Sequence, residues 1–130
     1  MVGYLLAGEF IETFARNGLG CNCPDDVFER IDNCMAEHAG VEYQRIAVGG
    51  RLLIYLVLAG RGSPAGMAVD LMAEGRRERD AQGFNRVRLV LVGGLPDQER
   101  LAVEAAVARL VGDDAKAHLH LVDDLSGYAG

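Results

Sequence analysis

The run from Leu52 to Ala59, Leu-Leu-Ile-Tyr-Leu-Val-Leu-Ala, constrains this chain more than any other stretch. It shows no polar–apolar alternation, so neither face of a strand built from it can meet water. A strand apolar on both faces belongs in the middle of a sheet that is covered on both sides. The run is far shorter than the roughly 20 residues a membrane-spanning helix needs. The N-terminus lacks a basic start ahead of an apolar stretch, so it does not read as a secretion signal. The expectation is a cytoplasmic protein with no membrane partner.

The segments around this run alternate in a readable way. Val41–Val48 is strand-like, and Gly49-Gly50 joins it to the central run as a hairpin, because a type I′ turn needs positive φ at both centres. Ser63 is placed to cap, and Pro64 to open, a helix that runs to about Gln82 and stops at Gly83. Arg86–Val92 is a second buried strand. Pro96 opens a helix through Val111, with Leu101, Ala105 and Leu110 on its inner side and Gly112 as its stop. Residues 116–122 form the last strand, and 123–130 a polar tail. Right-handed crossovers would lay the last three strands parallel.

Upstream, Leu6, Phe10, Ile11 and Phe14 recur at helical spacing over residues 5–16. Pro24, Asp25 and Asp26 suit a second helix start, with Val27, Phe28, Ile31 and Met35 on its apolar side and Gly40 as its stop. The expectation is therefore a single three-layer α/β domain over residues 1–130. It has a helical segment at 1–40 and a ββαβαβ unit at 41–122. Its sheet has about four strands and is mostly parallel, with one antiparallel hairpin strand, two N-terminal helices and two crossover helices. A sheet this apolar on so short a chain needs further cover, and the helix carrying Phe10 and Phe14 is a candidate homodimer surface.

The chain of 130 residues has a net charge of −6, which disfavours nucleic-acid partners, since neutralising phosphates takes a basic face. The charge run Arg76-Arg77-Glu78-Arg79-Asp80 mixes both signs and reads as a solvated helix face.

Three cysteines, Cys21, Cys23 and Cys34, argue against a disulfide framework. Cys21-Asn22-Cys23-Pro24 is the most unusual local feature. A helix start stabilises a thiolate, while Asp25 and Asp26 oppose that effect. If the second helix continues, Cys34 and His38 share one face, and Cys21, Cys23, Cys34 and His38 form a Cys₃His set suited to zinc or an iron–sulfur cluster. One straight helix cannot bring both its ends to one ion, so the set needs a break near Asp32-Asn33 or a second subunit. A Cys-x-Cys pair can also close a strained, labile disulfide, which is the thiol-redox reading.

The alternative site is the glycine-rich loop Gly60-Arg61-Gly62-Ser63 at the carboxyl end of the central strand. A helix start there favours an anion or nucleotide, and Arg61 could grip a phosphate or carboxylate. The loop matches neither a P-loop nor a dinucleotide fingerprint. His118 and His120 alternate on the last strand and so share one face, where two imidazoles can hold a metal ion or simply face solvent. A metal or redox protein at the cysteines, a binding module for a small anionic ligand at the glycine loop, and an oligomeric interaction protein without chemistry all remain open.

Overall fold

The computed structural model of the chain describes residues 6, 10–19, 29–59 and 63–125. Its elements are α1 (Ile11–Thr13, continued by a π-helical stretch Phe14–Gly18), β1 (Ile31–His38), β2 (Val41–Val48), β3 (Leu52–Leu58), α2 (Pro64–Gln82), β4 (Arg86–Val92), α3 (Asp97–Val111) and β5 (Ala117–Val122). The five strands form one sheet in the order β1-β2-β3-β4-β5. The first three make an antiparallel meander, whereas β3, β4 and β5 run parallel.

The sheet is therefore mixed rather than mostly parallel, and it has five strands rather than four. The difference lies in residues 31–38, expected to be helical and found as an edge strand. Ile31 and Met35 fit a helical spacing, but Ile31, Asn33 and Met35 fit a period of two equally well, and pairing with β2 decides between them. Gly40 is no helix stop. With Ala39 it makes a two-residue turn in which both residues have positive φ, 53° and 79°, the geometry a tight hairpin demands. His38 and Val41 face each other across it. The proposed start of that second helix, at Pro24, lies outside the described residues.

The hairpin at Gly49-Gly50 forms as expected. Both glycines have positive φ, and Val48 O accepts from Arg51 N at 3.0 Å. Helix α2 also keeps its expected limits. Ser63 Oγ accepts from Gly66 N at 3.2 Å, Pro64 occupies the first turn, and Gly83 closes the helix in the left-handed region. In α3 the buried residues are Val103 and Val107; Leu101 is 68% exposed. Of the residues expected on the inner side, Leu110 packs against the core, whereas Leu101 and Ala105 are exposed.

Strand β3 is buried from Leu52 to Val57, so both faces of the sheet are covered along its centre. Side chains of one parity, Leu53, Tyr55 and Val57 with Val87, Leu89 and Leu91, pack under α2 and α3 against Ala68, Leu71, Met72, Val103 and Val107. Those of the other parity, Leu52, Ile54 and Leu56 with Ile46, Val90 and Val92, pack against Leu6, Ile11, Phe14 and Leu125. Phe14 is 1% exposed and Phe10 packs against the same cluster. The helix expected to offer a dimer surface thus spends its aromatic residues on its own sheet.

The N-terminal segment is tied down by a buried amide. Gln44 on β2 accepts from Leu6 N at 2.9 Å and donates to Leu6 O at 2.8 Å, and its Nε2 also meets Asn33 Oδ1 at 2.7 Å. The side chain imitates a neighbouring strand's peptide group and satisfies both backbone groups of Leu6. Replacing Gln44 by Met keeps the volume but orphans both. We expect a loss of about 2–4 kcal/mol in denaturant unfolding, and a loss of under about 0.5 kcal/mol would show that Gln44 does not anchor this segment.

Candidate anion site

The carboxyl edge of the parallel strands is the first place to look for a ligand. Ligands in open α/β sheets settle where the strand order reverses and consecutive crossover helices part to opposite faces. Here the order runs β3-β4-β5 without reversal, and α2 and α3 both lie on one face, in contact with the same cluster. Gly60, Arg61 and Gly62 lie outside the described residues, while Ser63 acts as the helix cap. Gly93 serves close packing: it has φ of 141°, and a Cβ there would come within 2.7 Å of Ala59 O.

The cysteine set is not brought together among the described residues. Cys21 and Cys23 lie outside them. Cys34 is exposed on β1 opposite Arg45, and His38 sits on the same strand with its Nδ1 3.2 Å from Glu74 Oε2. On a helix these two residues would be neighbours, but along an extended strand four residues span about 13 Å. They share a face without sharing an ion. No group of three or more histidine, cysteine or acidic side chains is placed to hold a metal among the described residues.

Two polar clusters on the α2 side are internally complete. Glu78 accepts from Tyr55 Oη and from both Nε and Nη2 of Arg45, at 2.7 and 2.6 Å. Burial raises the Glu78 carboxyl, but the bonds from Arg45 and Tyr55 outweigh it and hold the group below its usual range. Asp114 receives Arg76 and Arg79 and caps Lys116 N, tying α2 to the loop before β5. The Arg79 bond leads in pulling Asp114 down to about 2. Each carboxylate is matched to its cations, as partly buried charges require.

The opposite face of β4 and β5 is different. Arg86 and Arg88 alternate along β4, and His118 and His120 alternate along β5, so all four project from one face. Arg86 Nη1 lies 2.9 Å from His118 Nε2 and 3.2 Å from Ala115 O; Arg88 Nη1 lies 3.0 Å from His120 Nε2. A guanidinium can only donate, so each imidazole accepts at Nε2 and carries its proton on Nδ1. Arg88 Nε is buried and has no hydrogen-bond partner among the described residues. None of the four side chains bonds to a carboxylate among those residues.

The electrostatics follow from this one-sided charge. Burial, then Arg88 and His118, push His120 down to about 4. His118 is lowered by burial and by both arginines. Burial and Arg86 even lower Arg88. This half-buried face sets two guanidiniums against two neutral imidazoles and leaves one buried donor, Arg88 Nε, without a partner among the described residues.

Sequence reasoning had placed His118 and His120 on one face but missed the arginines. The available signal was an Arg-x-Arg strand and a His-x-His strand, both of period two, on either side of one crossover. No known protein family matches the chain, and no curated protein shows significant similarity to it.

A pH dependence follows with a definite sign. The folded chain keeps His120 neutral, whereas an unfolded histidine takes up its proton near 6.5. Stability therefore falls as pH drops through about 6.5, and continues to fall until folded His120 titrates at about 4. Asp114 acts in a lower window: its contribution is present above about 4 and is lost toward 2. We expect His120→Gln to remove on the order of 1–2 kcal/mol of the stability change between pH 6.5 and 4, read from urea unfolding. An unchanged pH slope would contradict a neutral, partly buried imidazole.

Proposed function

We propose that the chain is a binding module for a small oxyanion, a phosphate- or carboxylate-bearing molecule, held by Arg86, Arg88, His118 and His120. The observation that carries this reading is Arg88: a half-buried guanidinium whose buried Nε has no partner, and to which no carboxylate bonds, among the described residues. Leaving a buried donor unsatisfied costs roughly 1–3 kcal/mol, more when the group is charged. A bound anion would balance the guanidinium's charge, and Arg86 stands beside it to complete a two-armed grip.

The overall charge sharpens the class of ligand. At a net −6 the chain has no broad positive field to draw in a polyanion. Recognition rests on the local pair of guanidiniums, which suits a small molecule with one strongly charged group. The cysteine reading, with zinc, an iron–sulfur cluster or thiol redox at Cys21 and Cys23, ranks below this one. The residues that would have completed its ligand set, Cys34 and His38, stand apart on a strand.

Sulfate is a suitable probe, because it offers tetrahedral oxygens and a fixed double charge. At saturating concentrations it should raise the unfolding temperature, since a ligand at 100 times its Kd stabilises the folded state by about 2.7 kcal/mol. Arg88→Gln should weaken binding by at least about tenfold while leaving the circular dichroism spectrum unchanged. Equal sulfate affinity in a folded Arg88→Gln variant would overturn the assignment.

A further inference from the structure

Resting on that reading, we propose that anion binding at this site is coupled to proton uptake: a dianionic oxyanion enters between the guanidinium and imidazole edges, and His118 and His120 each gain a proton at Nε2.

The geometry leads to this directly. In the anion-free chain each imidazole accepts from an arginine, so its Nε2 lone pair is already occupied. That contact holds only while the imidazole is neutral, because a protonated ring has no lone pair to offer. An oxyanion changes the balance. Its oxygens can accept from the guanidinium and from a protonated Nε2 at once, so it replaces one Arg-to-His bond with two charge-assisted bonds to the anion. The proton comes from the solvent, and the Arg-to-His hydrogen bond is the one that breaks.

Among the described residues no carboxylate bonds to the ladder. Arg86 and Arg88 face the imidazoles from β4. The loop before β5 contributes Asp114, which raises His118 slightly but is itself committed to Arg76 and Arg79. Lys116 is bonded to Asn85. β3 presents Leu52, Ile54 and Leu56 on this face, and on α1 Glu12 and Arg16 pair with each other at 3.0 Å. Asp123 and Asp124 lie beyond the far end of β5. The anion therefore provides the charge that lets the imidazoles keep their protons. With two guanidiniums and up to two imidazolium ions, the filled site favours a dianion over a monoanion such as acetate.

The test uses the full chain and sulfate, which does not titrate between pH 5.5 and 7.5, so any proton taken up goes to the protein. Calorimetric titration is run at several pH values, each in two buffers with different heats of ionisation. We expect one to two protons bound per sulfate at pH 6, and an affinity that rises up to about tenfold for each unit the pH falls, per coupled proton. The His118→Gln/His120→Gln double variant should bind more weakly with little pH dependence, and acetate should bind wild type more weakly than sulfate does. Sulfate binding that is lost in Arg88→Gln, yet gives equal heats in both buffers and is flat with pH, would overturn the proton coupling and leave the anion site standing. An absence of sulfate binding at every pH would overturn the anion site itself.

Discussion

The structure depends on the burial of β3 from both sides. Six consecutive side chains, Leu52 to Val57, are removed from water, and at about 1.5–3 kcal/mol for each large apolar side chain they are a major source of folding free energy. Such a strand forces two covering layers. The two crossover helices supply one, because right-handed connections between β3, β4 and β5 put both helices on the same face. The other face then depends on the N-terminal segment and on the turn back at Leu125. That cover reaches the meander, including β3 from Leu52 onward, and the carboxyl half of β4. The amino half of β4 and the neighbouring part of β5 carry polar side chains instead, and these are the arginines and histidines of the candidate site.

The contrast among the polar clusters separates scaffold from site. Glu78 with Arg45 and Tyr55 fastens α2 over the meander. Asp114 with Arg76 and Arg79 fastens the same helix to the loop leading into β5. In both, opposite charges meet and donors find acceptors. The β4–β5 ladder has cations facing neutral imidazoles and a buried donor left over. A structural role would be filled better by an apolar pair, since a half-satisfied polar group is costlier than none. Two guanidiniums to which no carboxylate bonds among the described residues are intelligible under the anion-binding reading proposed above.

Much of the fold was legible because local chemistry and tertiary demand agree from β2 onward. Gly49-Gly50, Ser63-Pro64, Gly83 and Gly112 each satisfy a turn or cap that their own geometry requires, so β2, β3, α2, β4, α3 and β5 could be placed within a residue or two. Agreement fails at residues 31–38, where Asp32, Asn33, Ala36 and Glu37 have little intrinsic strand preference and pairing with β2 dictates the outcome. The turn at Ala39-Gly40 hid there as well, because alanine rarely takes positive φ. The site was half legible for a related reason. Period two shows which residues of one strand share a face, but only the register between strands shows that Arg88 reaches His120. The glycine loop drew attention as an anion seat on general grounds, and its residues Gly60, Arg61 and Gly62 lie outside the described ones.

The central claim is that His118 and His120 are neutral acceptors for Arg86 and Arg88, which puts a definite proton on a definite nitrogen. Long-range ¹H–¹⁵N correlation spectra of the imidazole rings read that directly, in anion-free buffer at pH 7. We expect two histidines in the Nδ1–H tautomer, with His118→Gln and His120→Gln identifying which is which. Finding either ring in the Nε2–H tautomer, or protonated at that pH without an anion, would contradict the ladder on which the proposed site rests.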